Sequence, residues 1–182
     1  MPATPKWDFA RTDEVVEVAA LVNDAYRATG RIKGWTSEAH LLGGQRIDAD
    51  MLAEILERDG SRILLARLDG RLGACIHLER VSPTVAAFGL FAIRPAIQGQ
   101  GLGRSVIVYA ECWAKAHWGA RQAEITVIDL RRDLVAWYLR MGYRFTGERK
   151  AFPYGDERFG IPKRSDLALA VMRKTLTGMQ GL

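Results

Sequence analysis

The stretch Gln98-Gly99-Gln100-Gly101-Leu102-Gly103-Arg104 constrains this chain more than any other, because it joins an apolar run, Phe88 to Ile93, to a helix-like segment opening near Arg104. Gly99, Gly101 and Gly103 lack a Cβ, so each can take φ > 0 and turn successive backbone N–H groups toward one anion. A following helix leaves its first amides unsatisfied and directs the positive end of its dipole the same way. The composition reads as a pyrophosphate cradle, with a tight strand-to-helix connection as the plainer alternative. Spacing excludes two phosphate motifs. The G-x-G-x-x-G fingerprint needs glycine where Arg104 stands, and no G-x-x-x-x-G-K-[ST] occurs in the chain.

With 182 residues, 48% of them apolar, residues 1–182 are expected to form one well-cored domain. No apolar run approaches the roughly 18 residues that span a bilayer, and the first residues lack the basic-then-apolar order of a signal peptide. The expectation is a cytoplasmic protein with no membrane partner. The net charge of +5 is spread along the chain without a basic stripe, so no nucleic-acid partner is expected. His40, His77 and His117 show no metal-ligand spacing with one another or with a cysteine, so no metal is expected. Cys75 and Cys112 lie in apolar surroundings and read as buried thiols rather than a disulfide.

Thr12 reads as an N-cap, and Val15, Val18, Ala19, Val22 and Tyr26 then mark one face of an amphipathic helix ended by Gly30. A second helix spans about Asp50 to Arg58, after an irregular segment from Arg31 to Ile47. Arg62 to Leu68 and Leu72 to Val81 are strands joined by Asp69-Gly70, a strong hairpin signal, and Val85 to Ile93 is a third strand. Beyond the glycine turn come a helix to Gly119, a strand Glu124 to Ile128, a helix through Leu134, Trp137, Tyr138 and Met141 to Gly142, and two last strands, Tyr143 to Glu148 and Asp166 to Lys174. Hairpins first and crossovers later predict an α/β (α+β) fold: a mixed, mostly antiparallel sheet of about six to seven strands with helices on both faces.

Gln98-x-x-Gly101-x-Gly103 after Ala92-Ile93-Arg94-Pro95, followed by Trp137-Tyr138-Leu139-Arg140-Met141-Gly142-Tyr143, resembles the GNAT N-acetyltransferase superfamily, most specifically between Phe88 and Phe145. Gly34-Trp35-Thr36-Ser37-Glu38 and Phe152-Pro153-Tyr154-Gly155-Asp156 resemble a bacterial subgroup of it, a likeness that brings no substrate. The resemblance implies the GNAT fold and acetyl-CoA as donor. Its pyrophosphate would rest on the amides of Gln98, Gly99, Gln100, Gly101, Leu102, Gly103 and Arg104. In the proteins this chain resembles, the third strand carries a bulge, so the backbone around Phe91, Ala92 and Ile93 would receive the pantetheine arm and polarise the thioester carbonyl.

Tyr138 matches the family's general-acid tyrosine, which protonates the departing thiolate; a packing aromatic is the alternative. Arg131 stands where many relatives carry asparagine, and its implied role becomes a phosphate contact. The third strand holds no acidic residue. Glu79 on the preceding strand is the nearest substitute base, acting through a water, against the commoner reading of a surface glutamate. Tyr26, Trp35, Glu38, Tyr154 and Arg158 are the candidates for the acceptor site, each with a packing or surface alternative. The expected activity is acetyl transfer from acetyl-CoA to a primary amine, on a small molecule or a protein, by direct attack in a ternary complex. A CoA-binding sensor without turnover and the use of another acyl-CoA are the alternatives. The sequence leaves the oligomeric state open, a homodimer included.

Overall fold

The computed structural model describes residues 4–27, 35 and 37–177. Along the chain run β1 (Lys6–Phe9), α1 (Val15–Arg27), β2 (Leu42–Gly43), α2 (Ala49–Glu57), β3 (Ser61–Leu68), β4 (Arg71–Arg80) and β5 (Val85–Ile93). There follow α3 (Leu102–Trp118), β6 (Gln122–Ile128), α4 (Arg132–Arg140), β7 (Arg144–Ala151), β8 (Ile161–Pro162) and β9 (Ala168–Thr175). Seven strands form one sheet in the order β1-β3-β4-β5-β6-β9-β7. Among the described residues only β5 and β6 pair in parallel, across the α3 crossover that such a pairing needs. The mixed, mostly antiparallel sheet expected from the element order is therefore present.

Local chemistry explains most boundaries. Asp69 (φ 49°) and Gly70 (φ 76°) both take positive φ, the pair that a two-residue hairpin turn requires, and Leu68 faces Arg71 across it. Gly119 (φ 65°) ends α3. A Schellman arrangement ends α4: the Tyr143 N–H donates to the Tyr138 carbonyl (3.0 Å) and the Gly142 N–H to that of Leu139 (3.1 Å).

Other boundaries differ from the sequence reading. Thr12 opens a 3-10 turn, Thr12–Glu14, and the cap position is Arg11, whose N–H donates to the Glu14 carboxylate (2.9 Å). Gly30 lies outside the described residues, as do Gly34 and Thr36. The strand β1 was not expected, because four residues after a proline carry too little pattern; Trp7 stacked on Tyr109 (4.3 Å between centroids) holds it against α3. Equally unmarked in the sequence, β2 and β8 pair Leu42 with Pro162 and Gly43 with Ile161, tying the irregular segment to the connection between β7 and β9.

The inner strands of the sheet are buried on both faces, while β7 at the edge is exposed. On one face, Ile76, Leu78, Phe88 and Met172 pack with Val106 and Ile107 of α3. On the other, Ile63, Leu65 and Leu72 pack with Val18, Leu21 and Val22 of α1 and Leu52 of α2. Each such side chain contributes about 1.5–3 kcal/mol of burial. Cys75 and Cys112 are both buried free thiols. Among the described residues, no helix is long and apolar enough to cross a membrane.

Candidate active site

The parallel pairing of β5 with β6 stops early. It runs from Val85↔Gln122 to Phe88↔Ile125, while β5 continues to Ile93 and β6 to Ile128. A bulge bends β5 away at that point: Gly89 faces His77 and Ala92 faces Cys75, so Leu90 and Phe91 oppose the single residue Ile76. Leu90 takes φ 44°, a left-handed conformation costly for a branched side chain. The extra residue reverses the strand's faces. Ala86 and Phe88 pack toward α3, Leu90 and Ala92 toward α1, and Phe91 and Ile93 toward α3 again.

The Arg94 N–H donates to the Gly73 carbonyl on β4 (2.8 Å), so strand alternation turns the backbone groups of Ile93 and Phe91 the other way, into the gap. Both carbonyls there already accept side-chain hydrogen bonds. The Tyr26 hydroxyl donates to Phe91 (2.9 Å) and the Gln98 amide to Ile93 (2.9 Å). The amides of Phe91 and Ile93 face a space where β6 supplies no partner.

At the Ile93 end of the gap lies the glycine turn. Gly99 (φ 79°) and Gly101 (φ 86°) take the expected left-handed conformation, but Gly103 does not: α3 begins at Leu102, and Gly103 is in its first turn. The need for glycine there is close approach, since a Cβ would stand 2.8 Å from Ile93 Cδ1. Among the described residues, the amides from Gly99 to Arg104 donate to no protein acceptor. The Gln98 amide is different, donating to Pro95 (3.3 Å), and the Gln98 side chain accepts from Trp35 N–H (2.9 Å). The row of unpaired amides is thus one residue shorter than expected.

Within the gap is a cavity of ≈ 360 Å³, and it brings together Tyr26, Glu38, Glu79, Phe91 and Tyr138 from five separate elements or segments. Tyr138 is 7% exposed, packs edge-on against Trp137 and Tyr143, and has no hydrogen bond from its hydroxyl among the described residues. Burial raises its pKa above the ordinary 10, as do the nearby Tyr26 and Glu38, while Arg131 opposes the shift. Glu79 is half-buried and has no ion-pair partner among the described residues. Its neighbour His77 contacts the Ser61 hydroxyl through Nε2 (2.8 Å). Cys75, pushed up to about 12 by burial, is a neutral thiol that donates to the Leu90 carbonyl (3.5 Å).

Several expected roles change. The Glu38 carboxylate lines the cavity but is paired with Arg27 (3.1 Å) and lies 3.9 Å from Arg131, so its charge is compensated within the protein. Arg131 is 2% exposed and bonded to Asp133 (3.2 Å) and the Trp35 carbonyl (2.8 Å); it braces the cavity wall in place of presenting a free guanidinium to phosphate. Tyr154 and Arg158 do not line the cavity. The Tyr154 hydroxyl holds its own loop, donating to Arg164 (3.1 Å) and accepting from Leu167 (2.7 Å), and Arg158 is exposed and paired with Asp156 (2.7 Å). Trp35 is also off the cavity, linking Gln98 to Arg131 through its backbone. Arg46, His77, Phe152 and Phe159 also line the cavity; Phe152 lies in the segment that resembles the bacterial subgroup, whereas nothing in the local sequence pattern marks the other three.

Comparisons with known proteins bear on the fold and the family. The chain superposes on the ribosomal-protein-S18-alanine N-acetyltransferase from Escherichia coli with a TM-score of 0.70 at 14% identity, covering 98% of this chain and 97% of that one. A putative acetyltransferase from Salmonella typhimurium with its cofactor acetyl-CoA gives 0.68 at 16% identity, covering 99% and 98%. A spermidine N-acetyltransferase chimera from Vibrio cholerae and hSSAT gives 0.65 at 14% identity, covering 95% and 96%. At these identities the likeness is one of fold. No curated protein matches the chain. The family model described as the acetyltransferase (GNAT) family matches residues 16–143, more than half of the sequence, and the chain belongs to that family.

Proposed function

We propose that this protein transfers acetyl from acetyl-CoA to a primary amine by direct attack in a ternary complex. The observation that carries the reading is the gap between β5 and β6: unfilled amides of the glycine turn at one end, the Phe91 and Ile93 amides along it, and Tyr138 lining its cavity. The glycine-turn amides and the α3 N-terminus suit a pyrophosphate. Gly103 lets the helix start lie close against Ile93.

The chemistry follows from these groups. A neutral amine attacks the thioester carbonyl, whose developing oxyanion is held by the Phe91 N–H, a donor fixed by the bulge. The amine proton passes to Glu79 through a water, and then to solvent. As the carbon–sulfur bond breaks, Tyr138 gives its proton to the departing thiolate and later recovers one from solvent. No acyl-enzyme is required, in keeping with the neutral, buried Cys75.

Calorimetric titration with acetyl-CoA, followed by thiol release in the presence of an amine panel with water-only hydrolysis subtracted, tests the reading. Binding with amine-dependent thiol release is the expected result. Binding without any release favours the sensor alternative, and stronger competition by a longer acyl-CoA favours a different donor.

A further inference from the structure

Two charged side chains line the cavity without an ion-pair partner among the described residues, Arg46 and Glu79. They contrast with Glu38, which Arg27 neutralises in the same wall. Arg46 is fixed from two sides. Its N–H donates to Asn23 Oδ1 (2.6 Å), and its guanidinium carbon stands 5.6 Å from the centre of the Tyr26 ring. The hydroxyl of that ring donates to the Phe91 carbonyl, so Tyr26 links Arg46 to the bulge. Glu79 is opposite Ala87, on the side of the bulge away from Ile93 and the glycine turn. Much of the remaining wall, including Phe88, Leu90, Ile125 and Phe152, is apolar, with Tyr26, His77, Thr126 and Tyr138 as its other polar residues.

We propose that the acceptor is a small amine that carries its own anionic group on an apolar body, with an apolar α-amino acid as the simplest member of the class. Arg46 receives the carboxylate and Glu79, through a water, the amine, so the Glu79 carboxylate both orients the nucleophile and takes its proton. A polyamine or a long peptide N-terminus would instead bring cationic or uncharged groups against Arg46 without answering its charge. The cavity of ≈ 360 Å³, shared with the acetyl end of the donor, suits a molecule of amino-acid size. This inference rests on the acetyl-transfer reading above.

The test compares L-leucine and L-phenylalanine with their own amides and with spermidine, using thiol release from acetyl-CoA. At least one free amino acid is expected to exceed its amide and spermidine about 10-fold or more in kcat/KM, the scale of one charge-assisted hydrogen bond. In Arg46→Gln that preference collapses to within about threefold, and Arg46→Lys restores part of it. Melting curves check that each variant is folded. The wild-type ratio and the lysine variant remain decisive if the glutamine variant does not fold. Turnover of spermidine or the amides equal to or above that of both amino acids, or a preference unchanged by Arg46→Gln, overturns the proposal and leaves the acetyltransferase reading intact. Failure of acetyl-CoA to bind overturns both.

Discussion

Burial keeps the Tyr138 phenol protonated at any working pH, since desolvation and then the neighbouring Tyr26 disfavour a phenolate. A proton donor is therefore in place at the gap, and the ring is held between Trp137 and Tyr143 whether or not it carries a hydroxyl. Tyr138→Phe should lower kcat about 10²–10³-fold. Acetyl-CoA affinity, read by calorimetry, should stay near the wild-type value. An unchanged kcat would remove Tyr138 from the reaction. Gly103 supports a different prediction. Alanine suits a helix better than glycine by about 1 kcal/mol, yet its Cβ would meet Ile93 Cδ1 at 2.8 Å, so the two effects offset one another in stability. The displaced Ile93 borders the donor's path, and Gly103→Ala should therefore weaken acetyl-CoA binding about tenfold with little change in melting temperature. Loss of stability without loss of affinity would show that the close approach serves packing alone.

Among the elements, α3, β9 and the turn after α4 meet on one buried carboxylate. Glu111 is fully buried, accepts from the Tyr143 hydroxyl (2.9 Å) and pairs with Lys174 (2.6 Å). Removing it would leave a lysine and a phenol without their acceptor, so Glu111→Ala should cost about 3–5 kcal/mol in urea unfolding. Glu111→Leu combined with Lys174→Met should recover part of that loss, because the stranded charge goes too. A loss below about 1 kcal/mol would mean that Lys174 reaches water instead. The sequence reading passed over Glu111, since a periodic apolar face marks what a helix buries by pattern and not the polar residue buried beside it. The glycine turn was legible because its chemistry is local, glycine supplying the turn, whereas helix spacing alone marked Tyr138 as a packing aromatic and its acid role came from the family resemblance. The bulge at Leu90 was legible only through family resemblance. Strict alternation along Val85 to Ile93 would put Phe88 and Phe91 on opposite faces, and the structure puts both toward α3. The neutralisation of Glu38 was equally hidden, because Arg27 reaches it from the end of α1 across an irregular segment and Arg131 from a distant part of the chain.

At the scale of the whole molecule, the site exists because the sheet opens in its middle, where α1 supplies Tyr26 from one face and α4 supplies Tyr138 from the other. That opening also leaves β4 with a buried histidine beside it, and this gives the fold an acid sensitivity. His77 is 8% exposed, and burial lowers its pKa below the ordinary 6.5; Glu79 opposes the shift and Arg58 adds to it. Once the pH falls below about 6.5, the unfolded chain takes up a proton that the folded one resists. Stability therefore declines with acidification through that window until the folded histidine is protonated as well. The limiting slope for one such group is about 1.4 kcal/mol per pH unit. Carboxylates enter lower: Asp48, held below its ordinary 3.8 by the Met51 N–H and the Gln45 amide, loses its contribution only as the pH falls through that region. Melting temperatures measured from pH 8 to pH 5 should fall in the wild type below about 6.5 and stay nearly level in His77→Gln, whose amide can still reach the Ser61 hydroxyl. Equal slopes in the two proteins would assign the acid response to some other group.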